Sequence, residues 1–229
     1  MTRRTEAIYS SVVHAYEMVN HLTTFWLDSL FRRRVATLVA HRPGGVWADM
    51  GCGTGETFSL LRREAKRGQR IVGVDISMPM LRAAAGRGEN DVQLVLADAR
   101  SLPFRDGSVQ VLVSTYALRG ICDEECHPTG QFREFRRILR PNGCVVVLET
   151  SRPESWFVRF LFRTYVSHVV TPLGSLISGA ALSYRFLRDS IIGFYSARGL
   201  SSIMINAGFR KVRYESLMRG MFALHQAVA

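Results

Sequence analysis

Short apolar runs and amphipathic segments alternate between residues 45 and 150. Residues 45–50 (GVWADM), 70–75 (RIVGVD), 92–98 (VQLVLAD), 109–115 (VQVLVST) and 144–150 (CVVVLET) are continuous, largely β-branched runs of strand length. Between them, residues 57–68, 80–87 and 132–143 show helical spacing, the first ending in Gly68 and the last stopped by Pro141 and Gly143. Continuous apolar strands separated by helices are the pattern of a parallel sheet covered on both faces. The expected fold class is therefore α/β, a doubly wound and mostly parallel seven-stranded sheet of Rossmann-like form. The last two strands are expected at 211–217 and 221–228 as an antiparallel hairpin, turned tightly at Arg219–Gly220.

The flanks have a different pattern. Residues 5–41 carry bulky apolar positions at helical spacing, and residues 153–197 are apolar and aromatic but interrupted by Arg159, Arg163, His168, Arg185 and Arg188. Both segments read as amphipathic helices, not membrane spans. One domain is expected overall. It comprises an N-terminal helical lid (1–42), a ligand-binding core (43–152), a helical substrate-facing insert (153–200) and a final helix with the antiparallel strands (201–229).

The 229 residues are enough to bury roughly 70% of the unfolded surface without disulfide support. Hydrophobic residues make up 47% and charged residues 21%, which places the chain among globular proteins. The formal net charge is +11, carried almost entirely by arginine, since the lysines are Lys66 and Lys211. Such a surface favours anionic partners without choosing among them. Cys52, Cys122, Cys126 and Cys144 do not form the framework of a small secreted protein. The first residues lack the apolar stretch of a signal peptide. A reduced cytoplasmic protein is expected, with a peripheral place at the inner face of the membrane as an extension of that reading.

The first strand runs into Asp49 and then the loop Gly51-Cys52-Gly53-Thr54-Gly55. A phosphate-gripping loop of the GxxxxGK[ST] type fails here, because Glu56 and Thr57 follow Gly55. A dinucleotide fingerprint, GxGxxG, fails at its last glycine, where Glu56 stands. An acid directly before the glycines suits a cationic ligand better than a pyrophosphate. Asp75 closes the second strand, placed for a ribose diol, and Asp98-Ala99 closes the third, placed for an adenine amino group. Asp49, Asp75 and Asp98 thus fall at three successive strand ends on one edge of the sheet, where such sheets bind ligands. A ligand with a cationic methionine end, a ribose and an adenine is S-adenosylmethionine.

In order and spacing, ADMGCGTGETFSLL, GVDISMPML, LADARSLPF and LRPNGCVVVLE resemble the motifs of class I S-adenosylmethionine-dependent methyltransferases. Further stretches resemble one branch, the ubiquinone/menaquinone biosynthesis C-methyltransferases: YEMVNHL, STYALRGICD, LETSRP, SHVVTPLGSLISG and above all SYRFLRDSI. The chain departs from that branch at Glu17, Asp28-Ser29, Ala117, Gly120 and a short insertion holding Cys126-His127-Pro128. These departures lie in the lid and the substrate-facing loop, outside the cofactor motifs.

The resemblance implies S-adenosylmethionine as cofactor, S-adenosylhomocysteine as product, and C-methylation of a prenylated quinol. The cofactor set expected from the motifs is Asp49, Gly51, Cys52, Gly53, Gly55, Asp75, Ile76, Met80, Asp98, Ala99, Arg100, Ser114 and Tyr116. Arg119 is expected to orient or stabilise a ring oxygen, and His168 to act as base, directly or through water. Tyr16, Asn20, Phe25, Tyr184 and Arg185 are expected to contact the acceptor. No metal is expected, because Cys122 and Cys126 fall short of about four ligands. The aromatic and arginine-rich insert would line a tunnel for a prenyl tail, rest on an anionic bilayer, or pack against a second copy of the chain. Scattered arginines without a recognisable module point away from nucleic acid. Other small molecules, lipids and RNA stay open as acceptors, as does a cofactor-binding scaffold without turnover.

Overall fold

The computed structural model describes residues 3–66, 68–121 and 128–229, with residues 3–6 described as backbone alone. Cys122, Cys126 and most of the insertion around them lie outside the described residues. Seven strands form one sheet in the order β3-β2-β1-β4-β5-β7-β6. They are β1 (Val46–Met50), β2 (Arg70–Asp75), β3 (Val92–Leu96), β4 (Val109–Thr115), β5 (Leu139–Thr150), β6 (Arg210–Leu217) and β7 (Phe222–Val228). β1 to β5 pair in parallel, and β7 lies antiparallel between β5 and β6. The expected doubly wound α/β sheet and its closing hairpin are both present. A single 3₁₀ turn, Met218–Gly220, joins the hairpin strands, with Arg219 at φ 56.

Side-chain alternation along the strands builds two cores. On one face, Ala48, Met50, Leu112 and Val145 pack with α6 (Pro128–Ile138) and α10 (Ala197–Asn206). On the other, Trp47, Ile71, Val113 and Val146 pack with α2 (Leu27–Val39), α3 (Glu56–Glu64) and α4 (Met78–Ala85). Period-two geometry therefore carries Asp49 to the α2/α3 face along with Trp47. The strand order reverses beside β1, so the C-terminal ends of β1 and β4 flank a crevice.

The flanks close over that crevice. In α1 (Arg3–Thr24), Tyr9, Val12, Ala15 and Val19 pack with Met80 of α4 and with Tyr184 and Leu187 of α9 (Ala181–Gly193). The short α5 (Leu118–Ile121) follows β4. The insert continues as α7 (Trp156–Tyr165), a π-helical turn at Val166–Val170 and α8 (Thr171–Ser178). Among the described residues, no helix is long and apolar enough to cross a membrane.

Several boundaries differ from expectation, three of them in ways that bear on the site and the sheet. The helix expected over 57–68 ends at Glu64, because Ala65 is already extended. The third strand ends at Leu96, two residues before Asp98. The helix expected over 132–143 ends at Ile138, and β5 starts at Leu139 opposite Val109. The register then jumps to Val111–Cys144. Residues 140–143 form a bulge with Asn142 at φ 64. Pro141 and Gly143 thus mark a bulge in the strand, not a helix end.

Candidate active site

The loop after β1 is held by the strand beside it. The amides of Gly51 and Cys52 donate to the Val74 carbonyl, at 2.8 and 3.0 Å. The Gly53 amide donates to Asp75 Oδ2 and the Ser77 amide to Asp75 Oδ1, both at 2.9 Å. Two amides thus orient the Asp75 carboxylate, and each oxygen keeps a lone pair for a diol. Burial raises the Asp75 pKa, and these amides oppose the rise. Gly51 and Gly53 have positive φ, and a Cβ on Gly51 would come within 2.3 Å of Ala117 Cβ. Glycine is required there by close approach as well as by conformation.

Asp49 is fully buried, and neither carboxylate oxygen has a partner at full hydrogen-bond geometry, the Phe58 amide offering only a weak one. Burial pushes its pKa up to about 7, while Arg32 acts against the rise. An orphaned acid immediately before the loop fits a cationic ligand. Arg32 itself donates to Thr57 and Thr115, at 2.9 and 2.7 Å, and sits 4.9 Å from the Tyr116 ring centroid.

Two cavities meet at this edge. The first is lined by Gly51, Cys52, Gly53, Asp75, Ile76, Met80 and Ala99, with Tyr9 and Tyr16 of α1 above them. The second is lined by Asn20, Asp28, Arg119, Phe162, Val166 and Ile191, among others. Tyr116 lines both, buried and at φ 57. A bulky residue held in the left-handed region is strained, and such strain concentrates at functional sites. The π-helical turn supplies Val166 and Val170 to the second wall, in keeping with the habit of such turns.

Arg119 is buried and locked. Its guanidinium donates to Glu149 Oε1 and, at 3.0 Å, to the Tyr116 carbonyl, while Nε lacks a partner. Burial disfavours its charge, but the Glu149 carboxylate together with the Tyr9 and Tyr16 hydroxyls outweighs this and raises its pKa.

The structure gathers most of the expected residues and leaves some apart. Gly55, at φ 91, caps α3. Asp98 lines neither cavity; it forms a salt bridge with Arg100 at 2.7 Å, and Ala99 faces the first cavity instead. Ser114 is fully buried within β4. Phe25 is 74% exposed. Tyr184 packs against Gly174 and Arg185 faces outward, neither lining a cavity. His168 is exposed on a groove of α7 and the π-turn, where its Nδ1–H donates to the Thr164 carbonyl at 3.1 Å.

Sequence reasoning passed over Tyr9, Arg32, Glu56, His21 and Glu149. Glu149 carried a readable signal, an acid at the end of an apolar strand; Arg32, inside an arginine run, carried none.

The sequence profile of the ubiE/COQ5 methyltransferase family matches residues 1–229. The chain is 34% identical to a demethylmenaquinone methyltransferase of Thermus thermophilus, over 95% of this chain and 98% of that one. It is 30% identical to a ubiquinone/menaquinone biosynthesis C-methyltransferase of Syntrophotalea carbinolica, over 96% and 92% of the two chains. In fold, it resembles a Thermotoga maritima S-adenosylmethionine-dependent methyltransferase described as a possible histamine N-methyltransferase. The TM-score is 0.70 at 20% identity, covering 98% and 99% of the two chains.

Proposed function

The chain belongs to the ubiE/COQ5 methyltransferase family, and from that premise we propose that this S-adenosylmethionine-dependent methyltransferase C-methylates a prenylated quinol. The observation that carries the acceptor reading is the second cavity. It is apolar along Phe162, Val166, Val170, Ile191 and Phe222, it shares Tyr116 with the cofactor cavity, and it holds Arg119. Ligand sites of this kind combine apolar walls with a few placed polar groups.

When bound, S-adenosylmethionine supplies an electrophilic methyl on a sulfonium leaving group. Asp49 would answer its positive charge, Asp75 would take its ribose hydroxyls, and Gly51 and Gly53 would admit it to the backbone. Ile76, Met80 and Ala99 would bound its adenine side. The protein's contribution is positioning and electrostatics. Tyr116, strained and shared by both cavities, sets the boundary across which acceptor and cofactor meet. Arg119, with its Nε unpartnered, would hold an acceptor oxygen and stabilise negative charge developing there.

The insert supports a route for a lipid-soluble acceptor. Phe162 and Val166 face the second cavity, while Trp156, Phe157, Phe160 and Leu161 on the same helix are exposed. With Arg159 and Arg163 beside them and a net charge of +11, they suit the surface of an anionic bilayer. An acceptor could then pass from membrane to cavity along α7.

The test is transfer of labelled methyl from S-adenosylmethionine to demethylmenaquinol in detergent, with Asp75→Ala as control. Label in extractable quinone, lost in the control, is the expected result. Cofactor binding without label in any quinol would overturn the acceptor reading and turn attention to other lipids, small molecules and RNA.

A further inference from the structure

The second cavity holds, besides Arg119, an acid the methyl-transfer reading has not used. Asp28 is 2% exposed and lines this cavity. His21 Nδ1 stands 2.9 Å from Asp28 Oδ2 and 3.1 Å from Oδ1, and the Thr24 hydroxyl donates to Oδ1 at 2.7 Å. An ionised carboxylate only accepts, so Nδ1 carries the proton. The other ring nitrogen of His21, Nε2, stands 3.2 Å from Glu56 Oε1, and Glu56 lines the first cavity. A carboxylate–imidazole–carboxylate chain therefore runs from one cavity to the other, and His21 keeps 21% of its side chain exposed.

The surrounding charges balance this chain. Glu17, His21 and Glu56 place ligand-type atoms within 4.8 Å of one another. Each carboxylate already has a cation, Glu17 the Arg87 guanidinium and Glu56 the Arg32 guanidinium at 3.4 Å. The groups facing the dyad are Glu17 and Tyr16 from α1, Arg32 from α2, Glu56 from α3, and Tyr116 and Arg119 across the cavities. His168, the sequence candidate for the base, lies outside both cavities.

We propose that Asp28, held by His21, takes the hydroxyl proton of the acceptor ring. The proposal rests on the quinol reading above. The ring O–H bond breaks, an O–H bond forms on the Asp28 carboxylate, and the electron pair left on the ring oxygen activates the adjacent carbon for attack. Once that carbon is methylated its own proton passes to water, the electron pair of that C–H bond restores the aromatic ring, and Asp28 returns its proton to the ring oxygen. The one proton released per turnover is thus the carbon's, and His21 keeps its Nδ1–H on Asp28 throughout. Asp28 is the catalytic residue in this scheme and His21 the positioning residue. Arg119 stabilises the charge that Asp28 creates.

The experiment uses the full chain and naphthoquinol monomethyl ether, a ring with one ionisable hydroxyl and a free carbon beside it. Single-turnover methyl transfer is followed against pH in the wild type, Asp28→Asn and His21→Gln. Asp28→Asn is expected to lose roughly 100-fold or more in rate, with affinities for ether and cofactor within about threefold. His21→Gln is expected to lose less and to shift the pH profile. With a nitrile-substituted naphthol, whose hydroxyl ionises more readily, the gap between wild type and Asp28→Asn should shrink. Independently of turnover, the ¹⁵N resonances of His21 should move when the ether binds without cofactor. This arm also decides the matter if Asp28→Asn does not fold. Wild-type transfer to the ether with Asp28→Asn within about threefold, or unmoved His21 resonances, would overturn the proposal while leaving the quinol reading intact. Cofactor binding without transfer to any quinol or naphthol would remove both.

Discussion

The Tyr9 ring lies against the α-carbon of Gly120, so close that a Cβ there would come within 2.8 Å of both Cε2 and Oη. This contact seats α1 on α5, beside the first cavity, which Tyr9 also lines. Gly120→Ala would overpack the seat, at a cost of about 1–3 kcal/mol. The expected outcome is a lower urea midpoint, weaker S-adenosylhomocysteine binding by calorimetry and faster proteolysis within α1. Combining it with Tyr9→Ala should cost less than the sum of the single changes, since the two residues occupy one space. Strict additivity would refute the contact.

The buried pair Arg119–Glu149 makes a second prediction. Both side chains are nearly inaccessible, at 6% and 1%. Removing one partner strands a buried charge, which typically costs about 3–5 kcal/mol. Glu149→Ala should therefore destabilise the fold far more than a surface change such as Glu215→Ala, by urea denaturation with an unchanged slope. Glu149→Gln should retain more stability, because the amide oxygen still accepts from the guanidinium. An effect of Glu149→Ala no larger than that of Glu215→Ala would refute the assignment.

How far these features were legible in the chain depends on their range. The sheet was legible because each parallel strand is a local apolar run and three of the four crossovers between them have local helical spacing. The loop from Asp49 to Gly55 was legible because the chemistry and the spacing are contiguous. Asp98 lies two residues beyond the end of β3 and pairs with Arg100, a contact that no local pattern announces. His168 lies on the outer groove of the insert, a placement that helical spacing alone does not tell. His21 and Asp28 are seven residues apart on different helices. Only the turn through Phe25 and Trp26, both with positive φ, brings them together. That turn has no glycine to announce it.

Asp49 should make stability depend on pH with a definite sign. Its pKa rises from the usual 3.8 to about 7, chiefly through burial. Between those values the folded protein keeps a proton that the unfolded chain releases. Its contribution to stability is then fully present below the unfolded pKa and is lost as pH rises through about 7. The slope is at most roughly 1.4 kcal/mol per pH unit within the window. Subtracting the urea-derived stability curve of Asp49→Asn from that of the wild type should isolate this decline. A difference curve that is flat, or that rises across the window, would contradict it. A cationic ligand beside Asp49 would pull the pKa down, so calorimetry near neutrality should show proton release on S-adenosylmethionine binding that Asp49→Asn abolishes.

The exposed face of α7 yields the last prediction. Trp156 is 76% exposed and Phe160 60%, and Trp156 packs edge-on to Phe157. Exposed aromatics of this size are costly in water unless a partner covers them. If the partner is a bilayer, two contributions should separate experimentally. The apolar one is removed by Trp156→Ser with Phe160→Ser, and should weaken binding to vesicles at any salt concentration. The electrostatic one is removed by Arg163→Gln, and should weaken binding to phosphatidylglycerol vesicles at low salt while leaving neutral phosphatidylcholine vesicles unaffected. Sedimentation with the two vesicle types at two salt concentrations distinguishes them. The aromatic variant should also lose transfer to a long-tailed quinol in vesicles while keeping transfer to a short-tailed one in solution. Equal losses with both acceptors would place these aromatics in the catalytic fold and not on a membrane surface.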